Sequence, residues 1–252
     1  MNSGELVHRG FLRLPPSLHG IAAFEQVTDA ALQQWADPDD SNHDGISGRI
    51  AGRYGVKGTI ATLAEQIDAA FALEMGLSAG HLISPYGDCT EQQVACRQMP
   101  AGATTGDNEV PAEVTPLISR YIRSLPTPTA SLDESGQQVF AALGCDACHA
   151  PALPLADTDL HAWTDLLLHD LGAGLAADLP LPTDPAGALP GEWRTAPLWG
   201  LGSRQRYLHD GRADSLDTAI QWHGGEAESS RDAYNKATKL QRERLLSFLR
   251  GL

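Results

Sequence analysis

The chain is poor in several things that would each have fixed a function class. It has 252 residues but only four cysteines, too few for a disulfide-built scaffold. Only three of its 18 basic residues are lysine, so it has no polybasic lysine tract for a membrane surface. Against 32 acidic residues, those 18 leave a net charge of −14. A nucleic-acid binder needs a basic face, so that class is excluded. No apolar run reaches the roughly 18 residues of a membrane-spanning helix. Residues 1–20 also lack the apolar segment and cleavage site of a secretory leader. What is present is a 42% hydrophobic composition, enough for a packed core. The length suits one large domain or two small ones.

The cysteines fall into two pairs. Cys145 and Cys148 stand in Cys145-Asp146-Ala147-Cys148-His149. This is C-x-x-C-H, the attachment motif of c-type haem. Two thiols three positions apart can each bond one vinyl group of the same porphyrin, and the adjoining histidine then lies beneath the iron. The alternatives are a redox dithiol, which would prefer a βαβ context, and half a zinc site. A zinc site needs two further ligands at metal spacing, and no second C-x-x-C exists. The second pair, Cys89 and Cys96, lies in a stretch containing Pro, Gly and Thr. Covalent haem is installed where disulfides persist, so a local Cys89–Cys96 bridge is expected; two free buried thiols are the alternative. Both pairs point to an oxidising compartment, the periplasm.

Three short segments recur in the same order in both halves of the chain. Residues 13–18 (RLPPSL) resemble 194–199 (RTAPLW), 62–67 (TLAEQI) resemble 215–220 (SLDTAI), and 121–125 (YIRSL) resemble 248–252 (FLRGL). Chance similarity of helix ends is the alternative. The repeat, with the stiff linker Pro126-Thr127-Pro128-Thr129, predicts two cytochrome c-like domains, 1–128 and 129–252. Helices are expected at 134–143, 114–125, from Thr62 onward, and as one terminal helix over about 231–250. Thr62-x-x-Glu65 reads as a capping box. Strand-like alternation is scarce, so the expected fold class is all-α with long loops. In the second half 45 residues separate His149 from Arg194, whereas only 12 precede Arg13. The first domain is therefore expected to be incomplete, and the chain to be an internally started version of a longer two-haem protein.

These residues resemble the bacterial di-haem cytochrome c peroxidase superfamily, and within it most closely the di-haem (thiol) oxidoreductase branch. The resemblance is carried by DPDDSNHDGISGR (37–49), ATLAEQIDAAFALEMG (61–76), GCDACH (144–149), TDLLLHDLGAGLA (164–176), EWRTAPLWGLG (192–202) and LHDGRADSLDTAIQWHGGEA (208–227). It spans nearly the whole chain; the departure is the absent first haem motif. The resemblance implies a peroxide-reactive N-terminal haem and an electron-relaying C-terminal one. The motif present here matches the latter. It also implies a sixth iron ligand shortly after the His-Asp-Gly turn, and 14 residues beyond His209 lies His223. The only methionines are Met1, Met75 and Met99, all outside the second domain. His149/His223 ligation is therefore expected; the alternative is that His223 bonds a haem propionate.

Other residues carry weaker expectations. Arg194 and Arg212 suit haem propionates, because a guanidinium fork matches a carboxylate; surface ion pairing is the alternative. Trp193, Trp199 and Trp222 either wall a haem crevice or fill the core. Glu74 lies in an Ala-Leu-Glu-Met-Gly stretch that resembles the one holding the distal acid–base of the peroxide-reactive haem, a catalytic role it would have only beside that haem. Asp40, Asn42, Asp44 and Gly45 match the start of a Ca²⁺ loop, but the twelfth position is Ala51 rather than Glu. Asp37 and Asp39 are the substitutes, and a solvated acidic loop is the alternative. The resemblance implies Ca²⁺ between the haem domains.

Three functions follow as expectations. One is a c-type haem electron-transfer protein, or the electron-transfer half of a di-haem oxidoreductase. The others are a peroxidase-like or thiol oxidoreductase whose catalytic haem lies in a missing N-terminal segment, and a non-catalytic binding module stabilised by haem. The expected cofactors are one covalent haem c and Ca²⁺. The expected partner is a small cytochrome or cupredoxin-like redox protein, and the acidic charge favours one that is basic or neutral.

Overall fold

The computed structural model describes residues 13–80, 89, 91–100, 102–103, 107–130, 133–177 and 189–252. Among them run eight α-helices: α1 (Asp29–Gln33), α2 (Leu63–Glu74), α3 (Val94–Arg97), α4 (Val114–Ser124), α5 (Glu134–Ala142), α6 (Leu216–Gln221), α7 (Glu228–Lys236) and α8 (Lys239–Gly251). Side chains set several of the starts. Thr62 Oγ1 accepts from the Glu65 N–H at 3.2 Å while Glu65 Oε2 accepts from the Thr62 N–H at 3.1 Å, the capping box read from the sequence. Asp133 caps α5 and Ser215 caps α6 through the backbone N–H groups of Ser135 and Thr218.

The all-α expectation is wrong. Two small antiparallel sheets lie between the C-x-x-C-H motif and α6. In one, β1 (Leu153–Pro154) pairs with β2 (Asp159–Leu160); in the other, β3 (Leu168–Asp170) pairs with β4 (Glu192–Arg194). The cause is local. Seven prolines between positions 151 and 197 interrupt helix formation there. The stretch from Ala162 to His169 is nevertheless buried, and a buried backbone must find hydrogen-bond partners. It finds them across the chain. Leu168 and Arg49 exchange N–H···O bonds of 2.9 and 3.0 Å, and the Thr195 N–H donates to the Leu167 carbonyl at 2.9 Å. The expected single terminal helix is also two: Ala237 is extended, and Thr238 with Gln241 forms a second capping box that starts α8 afresh.

The repeat is conformational as well as sequential. Tyr54 bridges Ile60 and, 153 positions later, Tyr207 bridges Ala213. Within these turns Gly55 and Leu208 are left-handed (φ 76° and 70°), as are Gly58 and Gly211 (61° and 71°). Each turn leads to a hydroxyl-capped helix, α2 or α6. The α2 helix packs on α4 and α6 packs on α8. In the second half α5 lies across α8, where Gly136 lets the two backbones approach: a Cβ on it would collide with Phe248 Cβ.

Two apolar clusters form the core. Phe24, Leu32, Tyr54, Leu63 and Ile122 pack with Leu153, Leu166, Leu167 and Trp199, so residues from both halves share one cluster. The other gathers Val139, Phe140, Trp163, Leu245, Phe248 and Leu249. Among the described residues no helix is long and apolar enough to cross a membrane.

Candidate haem site

Helix α5 delivers the attachment motif. It ends at the left-handed Gly144 (φ 76°), and the chain enters a tight 3-10 turn over Cys145–Ala147. The His149 N–H donates to the Cys145 carbonyl at 3.1 Å, closing one turn around both cysteines. Both thiols are free. Burial pushes the Cys145 thiol up to about 12 and raises that of Cys148, so both are protonated at neutral pH.

The two imidazoles expected on iron are prepared alike. His149 Nδ1 donates to the Trp163 carbonyl at 3.0 Å, and His223 Nδ1 donates to the Ala219 carbonyl at 2.8 Å. A protonated Nδ1 in a neutral ring leaves the Nε2 lone pair as the ligand atom. Burial pulls His149 down to about 4 and lowers His223 as well, so both rings are neutral at pH 7. The rings lie near enough for a charge on His223 to lower the basicity of His149 further. Trp163 itself is left-handed (φ 54°), as is Leu166 (φ 62°). Such conformations cost about 1–3 kcal/mol each, and they cluster at functional sites. Here one of them aims a carbonyl at His149.

The remaining histidines of the second half are otherwise engaged. His161 is exposed. The His209 ring stacks on Trp193 with centroids 3.7 Å apart, and the Lys57 ammonium lies over the indole at 3.7 Å. His169 is buried with both nitrogens taken, Nε2 by Asp165 at 2.9 Å and Nδ1 by Glu226 at 2.8 Å. These bonds outweigh desolvation and raise His169 to about 12, while Glu226 falls to about 2. Met75 and Met99 are 63% and 68% exposed. His223 is thus the second neutral imidazole of this half whose Nδ1 is held by a backbone carbonyl, as that of His149 is.

The donor set fits a covalent haem: two free thiols in the attachment spacing and two neutral imidazoles, each with Nδ1 already bound. The buried indole N–H of Trp163 has no acceptor among the described residues, so the surroundings also hold an unspent donor. Cys148, Asp165 and His169 bring ligand-type atoms within 4.8 Å of one another. Both His169 nitrogens are hydrogen-bonded, and Cys148 belongs to the attachment motif. That cluster is therefore read as a hydrogen-bonded support, not as a metal centre.

Other expected residues sit elsewhere. Arg194 Nε donates to the Gly55 carbonyl at 2.8 Å, and burial pulls its guanidinium down to about 10. Arg212 pairs with Asp210 and bonds the Gly174 carbonyl at 2.8 Å, an ordinary local contact. Trp199 is in the first core cluster, Trp193 is buried, and Trp222 is 39% exposed under Arg212. Glu74 ends α2 and is exposed. In the acidic loop the Asp37, Asp40, Asn42 and Asp44 side chains accept from the loop's own N–H groups. Cys89 and Cys96 are joined in a disulfide.

Sequence reasoning missed Asp165, His169, Glu226 and the Trp163 carbonyl. The i, i+4 spacing of Asp165 and His169 was a usable signal. Glu226 had none, being 57 positions from His169.

A family model described as "Di-haem oxidoreductase, putative peroxidase" matches residues 109–252. No curated protein matches. Among solved structures, a MauG-like protein associated with microbial copper homeostasis aligns over 100% of this chain and 95% of its own, at 15% identity and TM-score 0.46. Kuenenia stuttgartiensis hydrazine synthase aligns over 100% and 99%, at 17% identity and TM-score 0.40.

Proposed function

Because the chain belongs to the di-haem oxidoreductase family, whose members do haem redox chemistry, we propose that it carries one covalent haem c and serves as an electron-transfer unit. Cys145 and Cys148 anchor the porphyrin, and His149 and His223 hold the iron. The observation that carries this reading is the matched pair of imidazoles. Each is neutral, and each donates Nδ1–H to a fixed backbone carbonyl.

The haem supplies a one-electron couple. The chain's own residues fix how it is used. The carbonyls of Trp163 and Ala219 lock the imidazole planes, so little rearrangement accompanies a change of charge. With His149 and His223 both bound to it, the haem iron would have no open position for a substrate, which would suit relay rather than peroxide chemistry. The Phe140, Trp163 and Phe248 cluster keeps water from the His149 side. Glu74 has no part in this reading. The acidic surface favours a basic or neutral protein partner of the small cytochrome or cupredoxin type. The covalent haem and the Cys89–Cys96 bridge favour the periplasm.

The test is a pyridine-haemochrome assay on protein matured with the cytochrome c assembly machinery. We expect one covalent haem per chain and a low-spin ferric spectrum that turns high-spin in His223→Ala. Absence of covalent haem refutes the proposal, and an unchanged low-spin spectrum in the variant removes His223 from the iron.

A further inference from the structure

We propose that Glu226 is a positioning residue for His223, anchoring the loop that follows it through a hydrogen-bonded chain running back to Cys148. The inference rests on the proposed His149/His223 ligation and adds the device that keeps the second ligand in place.

The need for such a device is visible in the backbone. His223 is followed by Gly224 and Gly225, the two most conformationally free positions available to a chain. Gly225 (φ 54°) presses against the Asp170 carbonyl and the Gly172 N–H, where a Cβ would collide with the Asp170 oxygen. Two glycines permit that close approach but do not enforce it. The ring itself has one side-chain bond, to the Ala219 carbonyl. The His223 N–H also donates to the Ile220 carbonyl at 3.1 Å, so α6 holds the residue from its N-terminal side, and the side chain that ties the loop down on its C-terminal side is that of Glu226.

Glu226 does so with every acceptor site it has. Its carboxylate accepts from His169 Nδ1 at 2.8 Å, Ser47 Oγ at 2.6 Å, the Ser47 N–H at 3.1 Å and the Asp170 N–H at 3.1 Å. A carboxylate offers about four lone-pair sites, so it is saturated. The far nitrogen of His169 is bound by Asp165 Oδ2 at 2.9 Å, and Asp165 donates its own N–H to the Cys148 carbonyl at 3.0 Å. The chain thus starts at the residue beside the first ligand, His149, and ends three residues beyond the second. It connects the segments that carry the two imidazoles without bonding to either ring. Ser47 adds a strut from the first half of the protein, and Gly48 leaves room for the His169 ring.

Replacing Glu226 with Gln puts an amide NH₂ among four donors, where one oxygen cannot serve them all. The test compares haem-loaded parent, Glu226→Gln, Ser47→Ala and His223→Ala, using carbon monoxide as the probe. Carbon monoxide binds ferrous haem only when an axial position opens, so its binding rate reports how often His223 leaves. Losing charge-assisted bonds should raise that rate about tenfold or more in Glu226→Gln, with a high-spin component in the ferric spectrum. Ser47→Ala, which removes one bond, should raise it about fivefold. A merely structural Glu226 would lower the unfolding midpoint and leave the carbon monoxide rate unchanged. If His223→Ala opens the site but Glu226→Gln and Ser47→Ala match the parent, the positioning role is refuted while the ligation stands. If His223→Ala stays low-spin, both are refuted. Should Glu226→Gln fail to accumulate, Ser47→Ala decides.

Discussion

The repeat places Tyr121 of α4 and Phe248 of α8 at the same register, 127 positions apart, yet their surroundings are opposite. Phe248 is 0% exposed, with ring centroids 5.6 Å from Phe140 and 5.0 Å from Trp163. Tyr121 is 60% exposed. Truncating a buried Phe to Ala costs about 3–5 kcal/mol, from lost transfer energy and the cavity left behind. Both edge-to-face partners of Phe248 would lose their contact, which puts Phe248→Ala in the upper part of that range. Tyr121→Ala removes a mostly solvated ring and should cost under about 1 kcal/mol. For a chain of this length each kcal/mol moves Tm by about 2–4 °C. Phe248→Ala should then lower Tm by roughly 8–20 °C and Tyr121→Ala by less than about 4 °C. The assay is thermal unfolding followed by far-UV circular dichroism, with urea midpoints as a second measure. Equal losses in the two variants would refute the reasoning, because they would mean that the α4 face is covered as the α8 face is. A Phe248→Ala loss below about 1 kcal/mol would refute the aromatic cluster as the support of the His149 side.

Two further outcomes are expected. The folded state holds Glu226 near 2, below its ordinary value, so its contribution is complete above about pH 4.5 and fades as pH falls towards 2. It holds His169 near 12, above its ordinary value, so that contribution is complete below about pH 6.5 and fades as pH rises from there. Urea midpoints against pH should accordingly fall less steeply below pH 4.5 in Glu226→Gln than in the parent; parallel profiles would contradict the pairing. The Cys89–Cys96 bridge closes a loop of sequence separation seven, which in the chain-entropy account is worth about 2–3 kcal/mol. The double Cys→Ala variant should lose no more than that and keep the haem spectrum of the parent. A changed spectrum would show that the bridge reaches the haem site.

Much of the local structure was legible because its causes are local. Thr62 and Glu65 are three residues apart, and the spacing alone specifies a capped helix. The same reading should have broken the terminal helix at Thr238, whose Gln241 stands at the same spacing. The fold class was misjudged because the 150–200 stretch has no period of its own. Its short strands exist only because a buried, proline-interrupted backbone borrows hydrogen bonds from Arg49 and from its own distant parts.

By itself the sequence carried the C-x-x-C-H spacing, the disulfide pair and the repeat, which rest on spacing along the chain. The expectation that His223 is the second ligand came from the family resemblance. Tertiary structure alone decided which nitrogen of each imidazole is free, since that depends on the carbonyls of Trp163 and Ala219. It alone joined Ser47, Cys148, Asp165, His169 and Glu226 into one network. The physical reason is burial. Hydrogen bonds between side chains 57 and 179 positions apart leave no periodic trace, and they form only where folding has removed the water that would otherwise satisfy each group alone.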